Sequence, residues 1–184
     1  MFDRILRVFK LDRRVFAEIE NDESATTQAV LVVTLVAITA VIGAVILLPF
    51  QLFLPFLRPD ARGAGAILVS IVLTILTTYL NWSIWAAATY LVGTQLFKGR
   101  ASFTGMLRVL GFAYAPRMLG IIPCIGAIIG AIWSLIAGYF AIREGHGLDD
   151  LATLVTIAVG WILTLVIQAF ISAIPGFGLF ASIF

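Results

Sequence analysis

His146 is the only histidine of the chain, set between Gly145 and Gly147 with Glu144 and Asp149 close by, and Cys124 is the only cysteine. A metal site needs several converging ligands, and one imidazole beside a carboxylate does not supply them. The histidine reads as a solvated loop residue. The lone cysteine excludes an internal disulfide framework and reads as a small buried side chain in a helix. Ser134 has no histidine or lysine partner within its helix to make it a nucleophile. Hydrolytic and redox reactions need a positioned base, nucleophile or metal, and the apolar stretches of the chain hold no Asp, Glu, Lys or His. No catalytic residue, metal ligand or cofactor is expected.

The polar residues inside those stretches suggest other chemistry. Arg108 and Arg117 flank Tyr114 and the helix-breaking Pro116. Each arginine is placed to snorkel toward the nearer headgroups, and Arg117, with no carboxylate in its segment, can also meet Asp60 or a lipid phosphate. Thr74, Thr77, Thr78 and Asn81 make one polar side of a helix, and Thr164, Gln168 and Ser172 make another. Such sides either hydrogen-bond between helices or line a polar pathway. Gly126, Gly130, Ser134 and Gly138 recur every fourth residue, a row of small side chains along which a second backbone can approach closely.

The elements that position these residues follow from composition. The chain has 184 residues, of which 61% are hydrophobic and 12% charged, with a mean hydropathy of +1.09. An ordinary soluble domain is about 25% charged. Ser24–Leu57, Gly63–Phe97, Met118–Ile142 and Leu151–Phe184 carry no charge at all. About 20 apolar residues suffice to cross a bilayer core, so each stretch is long enough. The predicted fold is an all-α polytopic membrane protein: a compact bundle of five transmembrane helices over about 29–48, 66–93, 103–122, 125–142 and 151–174, preceded by an amphipathic N-terminal helix within residues 1–28. The first span is expected to end before Pro49. The third, with Arg108, Pro116, Arg117 and Gly120 inside it, either crosses fully or re-enters.

In the opening segment Phe2, Phe9 and Phe16 recur every seven residues, with Ile5, Leu6, Val15 and Ile19 on the same side and Arg4, Arg7, Arg14 and Glu18 opposite. This helix either lies in the headgroup layer or packs on the cytoplasmic end of the bundle. Ser24, Thr26 or Thr27 is placed to cap the helix that follows. The mixed polar residues ahead of the first apolar run do not match a cleaved signal, so the N-terminus is expected to stay in the mature protein. In a five-span arrangement Arg4, Arg7, Lys10, Arg13, Arg14, Lys98, Arg100, Arg108 and Arg143 lie on the N-terminal side, against Arg58, Arg62 and Arg117 on the other. Nine against three places the N-terminus in the cytoplasm. The small positive net charge fits topology, and nucleic acid is not an expected partner.

At Leu110, Gly111, Phe112, Ala113, Tyr114, Ala115 and Pro116 the chain resembles the Yip family of Ypt/Rab-interacting membrane proteins, whose third span carries a similar Leu-Gly-Tyr-x-Leu-x-Pro pattern. Gly93, Gly99, Ser102, Phe103, Trp133, Arg143 and Glu144 are similar to residues of its bacterial members. The resemblance covers about residues 16–174 and implies five spans with a cytoplasmic N-terminus. The acidic Asp-Leu-x-Gly-Pro motif that precedes the first span of eukaryotic members is absent, which argues against small-GTPase binding. The resemblance to the compact bacterial branch implies a protein of the bacterial inner membrane.

These readings converge on a non-enzymatic scaffold or adaptor that contacts the lipid bilayer and associates with itself or with other membrane proteins through its small-residue faces. The alternative is a small transporter, channel or lipid-translocating protein built on the threonine sides and the two arginines.

Overall fold

The computed structural model describes residues 1–53 and 63–173, apart from the side chains of 48, 50–53, 63–66, 168 and 171–173. Among the described residues the chain is helical throughout: α1 (Phe2–Phe9), α2 (Arg13–Asn21), α3 (Ala25–Phe53), α4 (Gly63–Phe97), α5 (Phe103–Ala113), a 3₁₀ segment (Ala115–Ile121), α6 (Ile125–His146) and α7 (Asp150–Ala173). Four helices contain stretches long and apolar enough to cross a membrane, Ala25–Leu47, Ile67–Phe97, Ile125–His146 and Asp150–Ile167. Their burial pattern is that of a bundle solvated by lipid. Large side chains such as Leu68, Ile128 and Phe170 point outward, whereas Ala86, Thr89, Ala137, Ala141 and Thr156 fill the interior. Lipid tails do not drive leucines inward, so close approach of backbones through small residues holds such helices together.

The N-terminal segment forms two helices where the sequence predicts one. Leu11 takes a left-handed φ of 56°, and the Asp12 carboxylate then accepts from the Arg14 N–H to start α2. The turn divides the apolar side: Ile5, Val8, Val15, Phe16 and Ile19 are buried against the bundle, while Phe2 and Leu6 remain exposed. Arg4 pairs with Glu18 and Asp22, and Arg7 with Asp12 and Glu18, so the basic side is tied to the acidic group that follows it. Neither Thr26 nor Thr27 caps α3. Instead the Asp22 carboxylate accepts from the Ser24 N–H and hydroxyl in the turn before it.

Three boundaries differ from expectation. Helix α3 continues through Pro49 to Phe53. The proline lacks only the N–H that would reach back one turn, and in lipid a helix is the way to satisfy the remaining groups. Helix α6 runs on through Arg143, Glu144 and Gly145 to His146, so most of the expected polar loop is its last turn. Gly147 closes it with a left-handed φ of 66°, a conformation a side chain resists.

The third boundary is the largest. Residues 103–122 do not form one continuous helix: α5 stops at Ala113 and the chain tightens into the 3₁₀ segment. Pro116 has no N–H to offer the carbonyl of Phe112, so the α-helical ladder cannot continue there, and Arg117 donates to Tyr114 in the shorter pattern. The Ser102 hydroxyl caps α5 by accepting from Gly105. This divided segment is the centre of the bundle. Leu110, Gly111, Phe112, Ala113, Tyr114, Ala115 and Pro116 are all buried.

Its neighbours fix its course. Along α3 it meets Thr26 at Arg108, Ala29 at Gly111 and Gly43 at Gly120, in the same chain direction. Along α6 it meets Gly145 at Met106, Gly130 at Pro116 and Gly126 at Leu119, in the opposite direction.

Candidate functional site

Gly126 and Gly130 face the 3₁₀ segment, which explains half of the small-residue row. A side-chain carbon on Gly130 would lie 2.6 Å from the Pro116 carbonyl oxygen, and one on Gly126 would collide with the Leu119 carbonyl. The groove is therefore filled by the chain's own backbone. Farther along α6 the row changes role. Gly138 has nothing within 4 Å of the position a side chain would take, and the Ser134 hydroxyl is buried without a hydrogen-bond partner.

Ser134 and Gly138 open onto a cavity of about 180 Å³ lined also by Asn81 and Trp85 from α4, Tyr114 and Arg117 from the break, and Ile157, Trp161 and Thr164 from α7. Arg117 is exposed, and its guanidinium stacks over the Tyr114 ring at 4.5 Å. The break turns Tyr114 and Arg117 toward this space, because the tighter winding after Ala113 changes the direction of successive side chains. The result is a small pocket of mixed polar and apolar lining among the apolar helices, with the Arg117 cation in its wall. Among the described residues no acid–base pair lines it. Asp60, the carboxylate that the sequence offers Arg117, lies outside the described residues.

The two arginines are not equivalent. Arg108 is half-buried and donates to the Thr26 hydroxyl at 2.6 Å and to the Glu20 carbonyl at 3.0 Å, at the end of α2. It joins the N-terminal helices to the bundle instead of reaching for headgroups. At the other end of the same bracket, the Trp133 indole donates to the Phe9 carbonyl at 3.0 Å, and Arg13 lies over the Phe140 ring.

The threonine sides are hydrogen-bonded within their own helices. The hydroxyls of Thr74, Thr77, Thr78 and Thr164 each donate to a carbonyl one turn back in their own helix. Of the residues proposed for a pathway, Asn81 and Thr164 reach the cavity, while Thr74 and Thr78 do not line it. The side chain of Gln168 lies outside the described residues.

His146 is the clearest correction. It is 1% exposed, not solvated, and its ring fills a slot between Gly93 and Gly99. A side-chain carbon on either glycine would come within 2.6 Å of the imidazole. The ring faces the Thr89 backbone, yet neither nitrogen makes a hydrogen bond of ordinary geometry. The helix-stop signal of Arg143 and His146 followed by Gly147 was available in the sequence, but nothing there pairs the histidine with glycines some fifty residues earlier. Cys124 is likewise not a buried helical residue. It is exposed at the start of α6 with a φ of 62°. At the polar end of α7, Asp150 pairs with Arg143 and accepts from the Tyr139 hydroxyl. Trp85 and Trp161, missed as site residues, reach the pocket only through the packing of α4 on α7.

The family model described as the Yip1 domain matches residues 6–172. No curated protein and no solved structure matches this chain.

Proposed function

The chain belongs to the Yip1 domain family, and from that membership we propose that it is a non-enzymatic scaffold or adaptor that organises other proteins, or the bilayer itself, in the bacterial inner membrane. The observation that carries this reading is the docking of α1 and α2. They are bound to the transmembrane bundle at both ends, through Arg108 on Glu20 and Trp133 on Phe9, so a partner held at the surface is coupled rigidly to the spanning helices.

The bracket lies on the cytoplasmic side in the five-crossing topology, where nine of the twelve basic residues fall. The course of the divided segment supports five crossings. It runs beside α6 from Gly145 at Met106 to Gly126 at Leu119, a stretch over which its own two helices rise about 20 Å, the larger part of a hydrocarbon core of roughly 30 Å.

Because the Gly126 and Gly130 groove is filled from within, association through that face is not part of this reading. The surfaces left for partners are the N-terminal bracket and the lipid-facing sides of α3, α4, α6 and α7. The test is proximity labelling from a tag on Met1 in native membranes, compared with an Arg108→Ala variant. Recovery of a defined membrane-protein set that is lost with the variant supports an adaptor. An unchanged, nonspecific set removes the proposal.

The polar cavity favours a second reading, a small transporter or lipid-translocating protein, since a pocket among spanning helices is where a polar cargo would rest. Ion flux or lipid scrambling in reconstituted liposomes above protein-free controls would select it.

A further inference from the structure

Among the described residues Arg117, a cation at the edge of an apolar bundle, has no anionic partner. Arg4, Arg7 and Arg143 are balanced by carboxylates, and Arg108 by a carbonyl and a hydroxyl. Among the described residues, the one partner of Arg117 is the face of the Tyr114 ring. A guanidinium beside apolar helices favours an anion that it can bind through two parallel N–H groups, and phosphate has that shape.

A second, independent observation points to the same ligand. The Ser134 side chain is 7% exposed, and its hydroxyl has no partner although it borders the cavity. A buried hydroxyl without a partner in the wall of this space, beside an arginine that has no anionic partner among the described residues, is a donor that an acceptor oxygen would complete. The cavity, about 180 Å³, equals roughly six waters at their liquid volume, enough for a phosphate group but not for a whole lipid. At its rim stand Leu135 and Trp161, 49% and 56% exposed, apolar surfaces against which acyl chains can lie.

We propose that this cavity binds the phosphate of a lipid headgroup, held by the Arg117 guanidinium and the Ser134 hydroxyl with Tyr114 beneath the arginine, while the lipid's tails remain outside between α6 and α7. The apolar rim selects a lipid over free phosphate. The site stands whether the protein organises membranes or moves lipid.

Trp85 and Trp161 border the pocket and report its occupancy. The full chain in detergent micelles is titrated with phosphatidic acid bearing brominated acyl chains, and tryptophan quenching is compared with that by diacylglycerol bearing the same chains. Phosphatidic acid should quench at about tenfold lower concentration, the effect of one charge-assisted contact. Trp161→Phe should remove most of this difference. Arg117→Gln should abolish it, Arg117→Lys should keep part of it, and Ser134→Ala should reduce it. Melting temperatures establish that each variant is folded, and if Arg117→Gln is not, the isosteric Ser134→Ala and the Lys variant decide. Equal quenching by the two lipids, or a selectivity unaffected by folded Arg117 or Ser134 variants, overturns the proposal. Relief by millimolar inorganic phosphate would assign the pocket to the free ion.

Discussion

The guanidinium of Arg108 donates to the carbonyl of Glu20 at 3.0 Å, so an arginine in the middle of the chain terminates a helix near its start. The second contact, to Thr26, draws in the first turn of α3. One side chain therefore joins three elements. A charged donor at a helix C-terminus also suits the carbonyls gathered there.

Replacement of Arg108 by alanine should destabilise the detergent-solubilised protein by about 1.5–3 kcal/mol, the range for hydrogen bonds from charged groups. The effect should be local first. Trypsin cleavage at Lys10, Arg13 and Arg14 should accelerate in the variant, while peptides of α6 and α7 remain protected. Lysine at the same position should recover part of the loss, because it cannot serve Thr26 and Glu20 with a fixed fork.

Leucine at position 130 should cost about 1–3 kcal/mol by overpacking, since the new side chain would meet the Pro116 carbonyl and the Arg117 backbone, which cannot move aside as a flexible side chain does. Gly138→Ala is the control. Its side-chain carbon meets nothing within 4 Å, and alanine is the better helix former by about 1 kcal/mol, so stability should hold or rise. Thermal unfolding in one detergent separates the two, and an equal response from both would remove the claim that the row is used unequally.

The long apolar helices were legible because lipid imposes a length and a composition that no other solvent does. The row at Gly126 and Gly130 was legible as a packing groove, but not its occupant, since spacing along one helix does not say which backbone fills it. The break at Ala113 was signalled by Pro116, whose missing donor acts locally. The burial of His146 was not, because the slot that receives it is made by Gly93 and Gly99, and tertiary pairing of an imidazole with two absent side chains leaves no periodicity to read. The cavity has the same character. Its walls come from α4, α6, α7 and the break, and they meet only after packing.

The His146 slot makes a coupling prediction. Gly93→Ala places a carbon 2.5 Å from the imidazole, which forces the ring or α4 to shift, at a cost of about 1–3 kcal/mol. In a His146→Ala background the slot is empty and the same substitution should be close to neutral. A double-mutant cycle measured by thermal unfolding should therefore show the two changes to be strongly non-additive. Additive effects would mean that the glycine answers to another neighbour.

The N-terminal ion-pair network should make the bracket acid-labile before the bundle. Asp22 is held at about 2, first by the Ser24 hydroxyl and then by Arg4, and Glu18 is lowered by Arg7 and then Arg4. Asp12 is lowered by Arg7. In the unfolded chain these groups titrate at 3.8 for aspartate and 4.5 for glutamate. Carboxylates with depressed values stabilise the folded form above their unfolded values and lose that contribution as pH falls through the folded ones. The loss for Asp22 should therefore begin at about pH 5 and be complete only below about pH 2, once the pH has fallen through its folded value. Hydrogen exchange, corrected for the intrinsic pH dependence of the amide rate, should show α1 and α2 losing protection across this window while α6 and α7 keep theirs. Asp22→Asn should weaken the bracket at neutral pH and flatten its acid response, because the amide does not titrate and pairs less strongly with Arg4. Uniform loss of protection across all helices would mean that the bracket and the bundle open together.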